Sequence, residues 1–158
     1  MKKKQFQFYT QYHQFYFKDK NKDAAESVDP QSFWTETAFK EKLAQVEGGL
    51  AIATGSYGNI KGEIEILEKP TESINYNKYD HIVEGGINLQ SGELEILDCP
   101  NMHLELSLKT KPGKYRVRIY SSNLASVIGD DGNDYYRIEI WPSDDMERKV
   151  LKQYNNPL

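Results

Sequence analysis

Apolar and polar residues alternate with a period of two along most of this chain. Ile60, Gly62, Ile64 and Ile66 alternate with Lys61, Glu63 and Glu65. Leu94 and Ile96 alternate with Glu93 and Glu95, and Leu104, Leu106 and Leu108 with His103, Glu105 and Ser107. Tyr115, Val117 and Ile119 alternate with Lys114, Arg116 and Arg118; Tyr136, Ile138 and Ile140 alternate with Arg137 and Glu139. Leu50–Thr54 and Ile82–Leu89 are further apolar runs of strand length. Such alternation gives each strand one buried and one wet face, which antiparallel sheets permit. Turn signals separate the runs: Ser56-Tyr57-Gly58-Asn59, Ser91-Gly92, Lys111-Pro112-Gly113 and Asp131-Gly132-Asn133. About eight short strands in one small domain predict a mainly β protein, an antiparallel β-sandwich. Tyr136, Ile138 and Ile140 are expected to face the core together with Tyr115, Val117 and Ile119. Trp141 is expected to end the last of these strands, since Pro142 has no N–H to donate.

Two stretches depart from that pattern. Between Gln5 and Phe17, Phe6 and Phe8 occupy one parity while Phe15 and Phe17 occupy the other. The change near Tyr9–Tyr12 predicts a bulge or two short strands. Lys18–Gln31 is polar and contains Pro30, and reads as a loop. Thr35 then reads as an N-cap with Glu36 in the first turn, followed by Phe39, Leu43 and Val46 at helical spacing and a stop at Gly48-Gly49. One short helix near 35–47 is expected.

A length of 158 residues fits a single domain, 1–158, with a core of about 5–142 and a tail over 143–158. Tyr occurs 11 times, in keeping with half-buried sheet surfaces. The net charge of −4 argues against a general nucleic-acid binder. A single cysteine, Cys99, forms no internal disulfide, and no apolar region follows Met1-Lys2-Lys3-Lys4 as in a signal peptide. No run approaches the ~18 apolar residues of a membrane span. The expectation is a soluble, cytoplasmic protein with no membrane association; its oligomeric state is not legible.

No catalytic constellation is visible, so the chain reads as a binding protein and not an enzyme. His13, His81 and His103 lie at no ligand spacing, which leaves metal and other cofactors unassigned: none is expected. Cys99 has no neighbouring base to make it a nucleophile. Asp130-Asp131-Gly132-Asn133-Asp134 resembles the start of a calcium loop, but the twelfth position holds Trp141 where a glutamate is required. That leaves an acidic turn, with a looser calcium site at 129–134 as the alternative. No GxxxxGK[ST] or GxGxxG phosphate loop is present.

Charge is unevenly distributed. Residues 63–98 hold nine carboxylates against Lys69 and Lys78, a net of −7, whereas Lys109–Arg118 holds five bases and no acid. If Glu63, Glu65, Glu93 and Glu95 share a wet face they form an acidic surface that steers towards a basic partner. The other reading pairs these acids across strands with Arg116, Arg118 and Arg137.

Several ordered elements carry a family resemblance. They are Tyr12-His13-Gln14-Phe15, Phe33-Trp34-Thr35, Gly49-Leu50-Ala51-Ile52-Ala53-Thr54, Tyr79-Asp80-His81-Ile82-Val83-Glu84, Gly113-Lys114-Tyr115-Arg116-Val117-Arg118, and Asp134 to Pro142. Together they resemble the bacterial competence protein J family, known for an inhibitor of the DNA-entry nuclease of competent cells. The resemblance runs from about Tyr12 to Pro142. It implies an inhibitor or immunity-type protein whose partner is a basic nuclease or nuclease-like toxin, held through carboxylates in place of phosphates. The alternative from another class is a non-catalytic sandwich module that binds a small molecule or sugar through its aromatic residues.

Overall fold

The computed structural model describes residues 2–22, 33–46 and 48–155. Two sheets face each other across one apolar core, as the alternation predicts. The first sheet holds β1 (Lys2–Thr10), β5 (Gly58–Ile66), β10 (Tyr135–Pro142), β9 (Gly113–Ser122), β6 (His81–Leu89) and β11 (Lys149–Lys152), in that spatial order. The second holds β3 (Leu43–Val46), β4 (Gly49–Ala53), β2 (Gln14–Asp19), β7 (Glu93–Leu97) and β8 (Leu104–Lys109). Every pairing is antiparallel except β5 with β10, which run parallel.

The parity change between Phe8 and Phe15 is the chain crossing from one sheet to the other. β1 pairs with β5 in the first sheet and β2 pairs with β4 and β7 in the second. Because the two sheets present opposite faces to the core, opposite parities both point inward. Phe6, Phe8, Phe15 and Phe17 therefore meet, with ring centroids 5.8–6.1 Å apart between neighbours. Such tilted and edge-to-face pairs add to the area they bury. Tyr136, Ile138 and Ile140 face this core with Tyr115, Val117 and Ile119, as the alternation requires. Gly62 lies on the same face, directly across from Phe6. The Phe6 ring fills the space above it: a Cβ there would stand 2.5 Å from Phe6 Cζ and 2.1 Å from the Tyr136 carbonyl oxygen.

The helix is shorter than its spacing predicts. α1 spans Glu36–Glu41, capped by Thr35, whose hydroxyl accepts the Ala38 N–H. It ends at Lys42, which turns left-handed (φ 65°), and Leu43–Val46 forms β3. The helical spacing of Phe39, Leu43 and Val46 is thus accidental; Phe39 is 65% exposed. Ala38 is the residue that docks the helix, on Ala44 and Ala51 with Tyr16, Phe33 and Trp34 alongside. This covers the outer face of the second sheet, which is why all of β4 is buried. Glu47, at the end of the expected helix, and most of the 18–31 stretch lie outside the described residues; Lys18 and Asp19 complete β2.

Two further readings change. Leu104 was expected on the core face with Leu106 and Leu108, but it is 55% exposed. β8 is an edge strand whose register slips opposite Ile96 and Leu97, so its first residue overhangs the core. The 143–158 stretch also supplies structure: Pro142 still sits in the ladder opposite Tyr115, and β11 extends the first sheet beyond β6.

Candidate functional site

Glu63 and Glu65 project from β5, and Glu93 and Glu95 from β7. These strands belong to different sheets, so the four carboxylates lie on opposite outer faces and do not form one surface. Each is matched by a base. Glu63 contacts Lys3 and Arg137, and Glu65 accepts from Arg137 at 2.8 Å. Glu95 pairs with Lys18 at 2.9 Å and Glu93 with Lys20 at 3.5 Å. Cross-strand pairing, the other reading of the charge pattern, describes their surroundings. Arg116 and Arg118, however, take a different acid, Glu84.

The outer face of the first sheet is a charged layer under cover. Glu84 on β6 receives Arg116 Nε at 2.7 Å and Arg118 Nε at 2.6 Å, one on each carboxylate oxygen. Glu139 on β10 accepts from Arg137 and from the Tyr120 hydroxyl. Residues 67–80 cross this layer: Arg118 donates to the Thr71 carbonyl, Thr71 donates to Glu139, and Tyr79 packs on Tyr120 with centroids 4.6 Å apart. Residues 143–148 cover the far side, where Arg116 donates to the Asp145 carbonyl. Burial alone would lower the Arg137 pKa; its bonds to Glu65 and Glu139 outweigh that and raise it. Buried ion pairs with complete partners fix geometry more than they add net stability. This layer holds the fold and leaves its charges largely spent.

The sequence-level chemical candidates separate in the same way. Cys99 is buried, and burial pushes its thiol pKa up, the reverse of an activated nucleophile. His81 is fully buried, His13 bonds the Gly55 carbonyl at 3.2 Å, and His103 sits beside Asp98. Among the described residues, no three His, Cys, Asp or Glu side chains are placed to hold a metal ion. The acidic turn divides: Asp130 and Asp131 are exposed, whereas Asp134 points inward and accepts from Ser56 N–H, the Ser56 hydroxyl and the Tyr136 hydroxyl. Among the described residues no helix is long and apolar enough to cross a membrane.

The elements singled out by resemblance have structural work. In Tyr12-His13-Gln14-Phe15 the Gln14 side chain is a hub: its oxygen accepts from Tyr16 and Trp34 hydroxyl and indole groups, and its amide donates to the Tyr12 carbonyl. The Gly113–Arg118 element supplies core rings and aliphatics on one face and the Glu84 clamp on the other. No family model matches the chain, and neither does any curated protein sequence. Among solved structures it is similar to ComJ from Bacillus subtilis, described as an inhibitor of the DNA-degrading activity of NucA. The TM-score is 0.68 at 18% identity, over 89% of this chain and 96% of ComJ. The fold is ComJ-like. The product of crocagin biosynthetic gene J is also similar, with a TM-score of 0.53 at 17% identity over 90% of this chain and 99% of that one.

The Tyr-rich N-terminal strand and the 129–134 loop, separate candidates in the sequence, meet at one end of the sandwich. There the β1–β2 crossing, the start of β5 and the 123–134 turn come together around Tyr57. Tyr57 N–H donates to the Asp130 carbonyl at 2.9 Å, and its ring meets those of Tyr12 and His13 edge-on at 6.0 and 5.4 Å. The signal was present but scattered: Tyr9 in β1, and Tyr12, Tyr57 and two aspartates in three separate turns, with nothing in the sequence to say that the turns touch.

Proposed function

We propose that this protein inhibits a DNA-degrading nuclease by binding it directly, as a protein inhibitor and not as an enzyme. The observation that carries the reading is the ComJ-like fold over nearly the whole of both chains, ComJ being described as an inhibitor of the DNA-degrading activity of NucA. The raised thiol of Cys99 and the scattered histidines fit a protein that acts by contact. A nuclease must grip phosphates, so its cleft is basic, and an inhibitor of −4 net charge is suited to approach it. We place the protein in the cytoplasm, where a lone cysteine stays reduced. Glu63, Glu65, Glu93 and Glu95 enter this reading only through the net negative charge they help to leave on the chain, since each is already paired with a base at short range.

The test is DNA degradation by purified NucA with this protein titrated in. Stoichiometric loss of degradation is the expected result. Undiminished degradation at roughly tenfold molar excess, well beyond what a typical inhibitor interface needs, overturns the reading. Carrying the four glutamates to Gln separates steering from contact: a slower association at low salt that vanishes near 1 M salt is expected of steering, as the Debye length contracts to ~3 Å.

A further inference from the structure

Of the six exposed large apolar side chains among the described residues, Phe39, Tyr76 and Leu104 stand apart, whereas Tyr9 (53% exposed), Tyr12 (59%) and Ile128 (84%) belong to the end of the sandwich organised by Tyr57. A Cβ on Gly58 would stand 3.7 Å from the Tyr9 ring and 3.9 Å from both the Asp130 carbonyl and Asp131 Oδ1, so those groups border one small patch. Ile128 closes the turn with Asp131 through a pair of backbone bonds, Ile128 N–H to Asp131 O at 2.8 Å and the reverse at 3.3 Å. The Asp131 carboxylate and the Asp130 backbone are thus set beside Tyr9 and Tyr57.

The display is rigid. Tyr12 and His13 are consecutive left-handed residues, with φ of 58° and 56°. Non-glycine residues hold that conformation only where their surroundings over-determine it. Here Gln11 N–H donates to the Cys99 carbonyl, Thr54 N–H to the His13 carbonyl, Gln14 Nε2 to the Tyr12 carbonyl, and the His13 ring bonds the Gly55 carbonyl. Pinned backbone beneath an exposed tyrosine is the arrangement that loses least entropy on binding. Tyrosines that combine a wide apolar ring with a polar tip are enriched among residues that dominate interface energies.

The charge of the patch is single-signed. Segments 9–13, 54–60 and 122–136 contain three aspartates and no lysine or arginine, in a chain with 20 such bases. Asp134 is buried among Ser56 and Tyr136, which leaves Asp130 and Asp131 facing solvent.

From this juxtaposition we infer that the Tyr9–Tyr12–Tyr57–Ile128 patch, rimmed by Asp130 and Asp131, is the surface that docks the basic face of the protein partner. The inference rests on the inhibitor reading and assigns it a place. The rings insert, the two carboxylates meet lysine or arginine on the partner, and the paired glutamates of β5 and β7 stay outside the contact.

The test compares three forms of the full chain against purified NucA, by inhibition of DNA degradation and by direct binding. The first is the parent. The second carries Tyr12→Asn, Asp130→Asn and Asp131→Asn; asparagine tolerates the left-handed backbone at position 12, so the turn is kept while ring and charges are lost. The third carries Glu93→Gln and Glu95→Gln. The expected result is that the second form binds roughly tenfold more weakly or worse with its melting temperature held, while the third changes by less than about threefold. Parent-like inhibition by the second form overturns the assignment and leaves the inhibitor reading standing. Equal weakening of the second and third forms also overturns it. A parent that does not inhibit overturns both. A parent that dimerises in ultracentrifugation through Tyr12, with dimer and not NucA lost in the second form, overturns the basic partner in favour of a second copy.

Discussion

The Tyr154 backbone N–H donates to Nδ1 of His81 at 3.0 Å, while Nε2 of the same ring bonds the Glu41 carbonyl at 2.8 Å. One imidazole therefore joins the end of α1 to the segment that follows β11. With an N–H arriving at Nδ1, that nitrogen must be the acceptor and Nε2 the donor, so the ring is neutral. Burial lowers its pKa to about 4.

A pH dependence of stability follows. Unfolded histidine titrates near 6.5. Between about 4 and 6.5 the unfolded chain binds the proton and the folded one does not, so stability rises with pH through that window and falls as the solution is acidified. A shift of this size corresponds to roughly 3 kcal/mol at full effect. Urea midpoints at pH 7, 5.5 and 4.5 should decrease in that order, and His81→Asn should flatten the slope over the same range. An unchanged slope in His81→Asn would assign the acid sensitivity to other groups.

Ile138 stands between Ile64 and Ile119 in the centre of the first sheet and is fully buried. Truncation to Ala should cost roughly 2–5 kcal/mol, the transfer of the lost methyls plus the cavity left behind. Chemical denaturation reads this directly. A change below about half a kcal/mol, the range of neutral surface substitutions, contradicts the core placement.

Gly62 should not accept even a methyl group. The Cβ would collide with the Tyr136 carbonyl oxygen, a backbone atom of the neighbouring strand that cannot step aside, and with the Phe6 ring. Gly62→Ala is expected to destabilise by about 1–3 kcal/mol, against the usual gain from reducing unfolded-state freedom. Pairing it with Phe6→Leu should recover only the part of the cost that comes from the ring.

Asp134 collects Ser56 N–H, the Ser56 hydroxyl and the Tyr136 hydroxyl on a single carboxylate oxygen, and the Tyr136 hydroxyl in turn accepts the Gly55 N–H. Burial first, and then the Asp134 charge, push the Tyr136 pKa well up, so the phenol stays protonated and donating. Asp134→Ala leaves buried donors without an acceptor and should cost roughly 2–5 kcal/mol; Tyr136→Phe, which loses one donor, should cost about 1–2. Thermal unfolding of both variants checks the order.

Strand existence and facing were legible wherever alternation was clean, because a buried face tolerates few polar residues. That holds for β5, β7, β9 and β10. The helix was half legible: the Thr35 cap shows in sequence, but its end is a left-handed Lys42, a conformation lysine does not advertise. Leu43 and Val46 then carry the period of a helix while forming an edge strand. The glutamates misled for a different reason. Alternation tells which side of its own sheet a residue occupies, but not which sheet its strand joins, so Glu63 and Glu93 read alike although the whole core lies between them. The Tyr57 cluster was hidden for the same reason, being assembled by three turns distant in sequence.

The parallel pairing of β5 with β10 has a consequence for how the protein is made. A ribosome releases the chain from the N-terminus, and β1 meets β5 early. β5 then waits through some seventy residues, in an arrangement rich in sequence-distant contacts, before β10 emerges to fill the gap between it and β9. β6 gains its outer neighbour only with residues 149–152, which follow it by some sixty residues. Until β10 pairs, the nascent chain presents β5 with an unfilled edge, the kind of unpaired strand that invites association with other chains.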